Sequence, residues 1–147
     1  MFSIDAIMST DLITLPPTAS LAEARALMQA NRIHHLPIVV GNMELVGLIT
    51  LTNVLAGTDS SLREPDNRIR AKDICIKDVM VTDLATVDEH ASLRQAALFL
   101  EKHKIGCLPV VTKGKLRGII TDTDFVAVAI NLLEQMEDTE PLDREYG

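Results

Sequence analysis

Apolar residues recur along this chain in two rhythms, and the two come in the same order twice. In SLAEARALMQAN, Ser20 to Asn31, and in SLRQAALFLEKH, Ser92 to His103, apolar positions return every three or four residues, as on a helix with one buried face. Ser20 and Ser92 stand where a hydroxyl caps the first turn. The next runs, HHLPIVV (34–40) and CLPVVT (107–112), are short and nearly continuously apolar. A Gly-containing turn leads from each into LVGLIT (45–50) or LRGIIT (116–121), which predicts two paired strands. Before each helix, DLITL (11–15) or DLATV (83–87) predicts a further short strand, and TLTNVL or TDTDFV opens a second helix. The predicted unit is β-α-β-β-α, made twice.

The repetition is direct. At a shift of 72, IMSTDLITL meets VMVTDLATV, TASLAEA meets HASLRQA, and RIHHLPIV meets KIGCLPVV; after the hairpin turn loses one residue, LVGLITLTNVL meets LRGIITDTDFV at a shift of 71. We divide the chain into repeat one (2–58), a connector (59–74), repeat two (75–135) and an acidic tail (136–147) expected to lack order. A unit of about 55 residues buries too little apolar surface by itself, so the two are expected to pack face to face into one α/β body. The connector carries a basic run, Arg63, Arg68, Arg70 and Lys72, read as solvated charge.

Composition narrows the function. Of 147 residues, 47% are apolar and only 3% aromatic, so the core is aliphatic. The net charge of −7 is concentrated in the last fourteen residues, which hold six acids and one Arg; the body is nearly neutral and has no basic stripe for nucleic acid. MFSIDAIMST lacks the pattern of a secretory signal, and no apolar run is long enough for a bilayer, so a cytoplasmic protein is expected. Cys75 and Cys107 have no pairing or metal spacing and are read as reduced thiols.

The candidate chemistry lies in GLITLTN (Gly47 to Asn53) and its copy GIITDTD (Gly118 to Asp124). Each ends a strand and opens a helix, where free backbone N–H groups and the positive dipole end favour an anion such as phosphate. A carboxylate at Asp124 accepts two ribose hydroxyl protons, whereas the amide of Asn53 accepts through one atom only. The same residue types also serve as N-caps with no ligand, and spacing alone leaves both readings open.

The three motifs IMSTD/VMVTD, RIHHLPIVV/KIGCLPVVT and GLITLTN/GIITDTD, in the same order twice, resemble the cystathionine β-synthase (CBS) domain in its tandem arrangement, the Bateman module. The resemblance covers about residues 2 to 135. It implies two β-α-β-β-α repeats related by a pseudo-two-fold axis, with two clefts that bind adenine nucleotides such as AMP, ADP or ATP, or S-adenosylmethionine. It also implies a regulatory role, on a partner protein or on the module's own assembly, and a homodimer. Carried over residue by residue, it places Thr121 and Asp124 of one cleft at phosphate and ribose, Leu12 and Ile13 along the adenine, Ile33 and Pro37 as apolar walls, and His34 and His35 near phosphate. The second, weaker cleft pairs Thr50 and Asn53 with Leu84, Ala85, Ile105 and Pro109; there Gly106 and Cys107 stand where the first cleft has its histidines.

Adjacent strand residues face opposite ways, so His34 and His35 are not expected to share a metal, and at most one should face the cleft. A histidine that meets phosphate would strengthen binding as pH falls through about 6.5. No catalytic constellation is present: the chain has no GxSxG, GxGxxG, P-loop or CxxC. The expected function is a non-catalytic adenine-nucleotide sensor; the alternative is a ligand-free dimerisation module. The apolar stretch DFVAVAINLLEQM is expected to contribute to a dimer interface.

Overall fold

The computed structural model describes residues 3–63 and 71–139. Its regular elements are α1 (Leu21–Asn31), β1 (His35–Val40), β2 (Glu44–Thr50), α2 (Leu51–Arg63), α3 (Leu93–His103), β3 (Cys107–Thr112), β4 (Lys115–Thr121) and α4 (Asp122–Thr139). Short 3-10 turns lie at Ile4–Ala6, Ala71–Asp73 and Ile76–Asp78. The architecture is α/β: four helices and one antiparallel sheet in the order β1-β2-β4-β3. Each repeat contributes one hairpin. The hairpins join at a single registered pair, Glu44 with Lys115, where the Leu116 N–H donates to the Met43 carbonyl at 2.8 Å.

Local sequence explains the element ends. Ser20 and Glu23 form a reciprocal capping box at the start of α1, and Ser92 accepts from the Gln95 N–H at the start of α3. Arg32 and Lys104 close these helices in the left-handed conformation, with φ of 54° and 55°.

The expected strands at 11–15 and 83–87 shrink to one parallel bridge each, Leu15 with Ile38 and Val87 with Val110. The prolines explain why. Leu15 donates to the Pro37 carbonyl and accepts from Val39, and Val87 does the same with Pro109 and Val111. Lengthening either ladder by one step toward the N-terminus would call on Pro37 or Pro109 for an N–H that proline lacks.

Two apolar clusters form the interior, and each is closed by the other repeat. Leu21, Met28, Leu36, Ile38, Ile49 and Val54 of repeat one enclose Ile76 of repeat two. Ala96, Leu100, Leu108, Val110 and Ile120 of repeat two enclose Ile4 of repeat one. Backbone pairing follows the same exchange. Ser9 and Ile119 trade bonds of 2.9 and 3.1 Å, and Leu48 and Val81 trade bonds of 2.9 and 2.8 Å.

This exchange explains the glycine that opens both copies of the repeated motif. A Cβ on Gly47 would lie 2.5 Å from the Met80 sulfur, and one on Gly118 would lie 2.6 Å from the Met8 sulfur. Each glycine leaves room for the methionine of the opposite repeat.

Two helices run past the boundaries expected from the sequence. Helix α2 runs to Arg63, five residues into the expected connector, because its register is already set by the capped start at Thr50 and nothing in TDSSLR breaks it. Helix α4 runs to Thr139, so the first four residues of the expected tail are helical; NLLEQMED contains no Gly or Pro to stop it. Residues 64–70, including Arg68 and Arg70, and tail residues 140–147 lie outside the described residues. Lys72 is exposed in its 3-10 turn. On α4, Val126, Ile130 and Leu133 recur at helical spacing and are each at least half exposed. No helix among the described residues is long and apolar enough to cross a membrane.

The glycine contacts predict unequal sensitivity. In Gly47→Ala only the flexible Met80 side chain must move, whereas in Gly118→Ala the new methyl also meets the Ser9 carbonyl at 2.9 Å. Overpacking of this kind costs roughly 1–3 kcal/mol. Urea melts should show the larger loss for Gly118→Ala, and equal losses would contradict this account.

Candidate functional site

The two threonines that end β2 and β4 sit directly before the helices that follow them, and each is locked into a local box. Thr50 Oγ1 accepts from the Asn53 N–H at 3.1 Å, while Asn53 Oδ1 accepts from the Thr50 N–H at 3.1 Å and its hydroxyl at 2.8 Å. In the second copy, Asp124 Oδ2 accepts from the Thr121 N–H at 2.8 Å and its hydroxyl at 3.3 Å, and Thr121 Oγ1 accepts from the Asp124 N–H at 3.4 Å. These are capping boxes, and each satisfies two helix-end groups. Capping therefore accounts for the Thr-x-x-Asp/Asn spacing, but it occupies only one of the two terminal side-chain atoms. What remains differs: Asp124 keeps an acceptor oxygen, Asn53 a donor nitrogen.

Two cavities flank the line where the repeats meet. The first, of about 440 Å³, places Arg32, Ile33, His34 and His35 of repeat one opposite Ile119, Thr121 and Thr123 of repeat two. The second, of about 280 Å³, brings Thr50 and Leu48 against Val81, Asp83, Leu84, Ala85 and, from around the start of β3, Ile105, Gly106, Cys107 and Pro109.

Of the residues proposed for the first cleft, Thr121, Ile33, His34 and His35 line it; Leu12, Ile13, Pro37 and Asp124 are not on its wall. Ile13 instead packs against the first core and Pro37 is buried within β1. The second cleft is the more completely assembled. Thr50, Leu84, Ala85, Ile105 and Pro109 all line it, and of its proposed residues Asn53 alone does not.

The histidines correct one expectation, because both line the first cavity. Strand alternation does not govern the pair, since β1 begins at His35 and His34 lies in the bend before it. His35 lines the second cavity as well. Sequence reasoning also passed over Arg32 in the first cavity and Asp83 in the second; Arg32 opens the quoted RIHHLPIVV motif, and Asp83 closes VMVTD.

Burial lowers the pKa of His35 below the ordinary 6.5; Asp122 opposes this and His34 adds to it. His35 and Asp122 approach each other across Gly106, where a Cβ would lie 3.5 Å from His35 Nε2 and 3.6 Å from Asp122 Oδ2. An imidazolium at His35 therefore forms below 6.5, not at it. Burial pushes the Cys107 thiol up to about 12, with Asp122 and Asp124 adding to the rise, so it is a neutral, unreactive wall. Cys75 and Cys107 are both free thiols.

The family model of the CBS domain matches residues 4–57 and 76–131. The chain belongs to the CBS domain family. As a tandem CBS pair it resembles, at TM-score 0.84 and 42% identity, a candidate acetoin utilization protein (AcuB) from Vibrio cholerae, over 93% of this chain and 98% of that one. CBSX2 from Arabidopsis thaliana, solved in complex with AMP, superposes at TM-score 0.77 with 27% identity, over 90% and 98% of the two chains. The CBS pair of protein MJ0100, solved with 5′-methylthioadenosine and S-adenosylmethionine, gives 0.75 and 25%, over 89% and 98%. Among curated relatives, the chain spans only 21% of the length of an inosine-5′-monophosphate dehydrogenase from Korarchaeum cryptofilum, with 35% identity over 115 residues. Both of these CBS pairs were thus solved with adenosine-containing ligands.

His35 generates a stability prediction. Its pKa is lower in the folded than in the unfolded chain, so below about 6.5 the unfolded state binds more protons and stability falls with pH. Urea midpoints should drop between about pH 7 and pH 5.5, and the drop should shrink in His35→Gln. An unchanged drop would assign it to other groups.

Proposed function

We propose that this chain is a regulatory module that senses an adenine nucleotide (AMP, ADP or ATP) in the cavity beside Thr121 and transmits occupancy to a partner protein or to its own assembly. One observation carries the reading: Arg32, His34 and His35 of one repeat face the capped start of α4 in the other across a cavity of about 440 Å³. The Arg32 guanidinium on one wall and a helix N-terminus on the other suit the phosphate, and the oxygen that Asp124, three residues after Thr121, keeps outside its cap suits a ribose hydroxyl. The AMP complex of CBSX2 supports an adenine nucleotide as the class of ligand. Repeat one (2–58) and repeat two (75–135) each supply one wall. We assign no catalytic role, because the Cys107 thiol beside His35 is held neutral and unreactive.

A second reading, a ligand-free dimerisation module, is favoured by the capping boxes, which satisfy Thr50 and Thr121 without any ligand. The two readings separate in a thermal-shift and calorimetric series. AMP should raise the melting temperature and bind one dominant site, with 2′-deoxy-AMP binding worse. Arg32→Asn, whose amide side chain tolerates the left-handed backbone, should weaken AMP about tenfold. Asp124→Ala should weaken AMP more than Asn53→Ala, although both lose a cap worth about 1 kcal/mol. ATP with magnesium should stay intact. No shift with any nucleotide would leave the dimerisation module standing.

The exposed Val126, Ile130 and Leu133 of α4 predict self-association. Sedimentation at micromolar protein should show a dimer that Val126→Asp with Leu133→Asp dissociates. A monomer in the unaltered chain would refute it.

A further inference from the structure

We propose that His35 and Asp122 form a ligand-gated ion pair where the two repeats meet: a phosphate in the Thr121 cavity draws one proton from solvent onto His35, and the imidazolium then bridges that phosphate and the Asp122 carboxylate. The proposal rests on the nucleotide reading of the cavity and adds the contact through which occupancy ties one repeat to the other.

The two residues meet on one side of the repeat only. At the shifts of 72 and 71, His35 corresponds to Cys107 and Asp122 to Leu51, a neutral thiol and an alkyl group that form no ion pair. His35 begins β1 of repeat one, and Asp122 begins α4 of repeat two. Gly106 stands between them. His35 Nε2 and Asp122 Oδ2 lie 3.5 and 3.6 Å from the point that a Cβ on Gly106 would occupy, and the Asp122 N–H donates to the Gly106 carbonyl at 3.1 Å. Asp122 Oδ1 already accepts from the Thr123 N–H at 2.9 Å, which leaves Oδ2 toward the imidazole. Among the described residues, His35 and Asp122 are not in ion-pair contact.

Imidazole chemistry makes this gap a switch. A neutral ring has one N–H and serves either the phosphate or the carboxylate, whereas the imidazolium donates at both nitrogens. In the protein alone, burial keeps His35 below the ordinary 6.5, with Asp122 opposing and His34 adding, so the ring is neutral at neutral pH. The other groups around it are Arg32, beside it in the first cavity, Cys107 and Asp83 in the second, and Asp124 on α4. Arg32 and His34 disfavour the proton, and Asp83, Asp122 and Asp124 favour it. A phosphate adds negative charge at a wall that His35 lines, and this tips the balance to the charged ring.

Calorimetry of AMP binding to the whole chain, in two buffers of different protonation enthalpy, reads the proton directly. At about pH 7.5 the complex should take up roughly half a proton or more per AMP. Because the complex then holds more protons than the free chain, affinity should fall as pH rises from about 7 to about 8.5, by up to about tenfold per pH unit. His35→Gln should abolish both effects, and His34→Gln should keep both. Gly106 is outside the left-handed region and a Cβ there meets both groups at ordinary contact distances, so Gly106→Ala fits the fold while filling the gap. Gly106→Ala and Asp122→Asn should each bind AMP with the uptake about halved or less. If AMP binds without proton uptake, if His34→Gln abolishes the uptake, or if Gly106→Ala or Asp122→Asn leaves it unchanged, the proposal is overturned and the nucleotide reading stands. If AMP does not bind, both fail.

Discussion

The exchange of N-terminal segments between the repeats is the constraint on which the rest of this structure depends. Ile4 closes the core of repeat two and Ile76 that of repeat one, and the backbone bridges Ser9 to Ile119 and Val81 to Leu48 hold the two exchanges in register. Neither core is complete without its visitor. Burying one isoleucine contributes roughly 1.5–3 kcal/mol, a large fraction of the net stability of a domain this size. The two repeats are thereby one cooperative body, and the cavities between them inherit that rigidity. Gly47 and Gly118 serve this arrangement, since the methionine of the visiting segment lies where their side chains would be.

The exchange also sets the chemistry of the cavities. Because each visiting segment pairs with the last strand of the opposite hairpin, the residues after it are laid beside that strand's terminal threonine. Val81 on Leu48 carries Asp83, Leu84 and Ala85 to Thr50. Each cavity is consequently a composite, with the helix start from one repeat and the facing wall from the other. Any ligand held in such a composite cavity would touch both repeats, so its occupancy and their relative placement would be thermodynamically linked.

The near-symmetry makes the departures from it informative. The two capping boxes have the same geometry although one uses an amide and the other a carboxylate, so folding alone does not require the difference between Asn53 and Asp124. What differs is the group left over and the charge on the facing wall. His35 sits where both cavities reach it, neutral at physiological pH because it is buried, and so contributes a hydrogen-bonding edge to each without adding a cation to either.

Much of this was written in short-range patterns. The helices α1 and α3 follow from apolar spacing and Ser20 or Ser92, the hairpins from apolar runs split by a turn, and the Thr50 and Thr121 boxes from a spacing of three residues, because such contacts form within a turn or two of chain. The repeat, and with it the family, was legible for the same reason. The long-range outcomes were not. That Ile4 enters the core of repeat two, that His35 reaches both cavities, that Asp83 lies against Thr50 while Leu12, Ile13 and Asp124 leave the first wall, and that Pro37 and Pro109 cut their neighbouring strands to a single bridge, all depend on residues brought together from some 20 to 115 positions apart. Local pattern specifies each element and its buried face; which faces meet, and therefore what charge a cavity holds, is decided by packing the two repeats against each other.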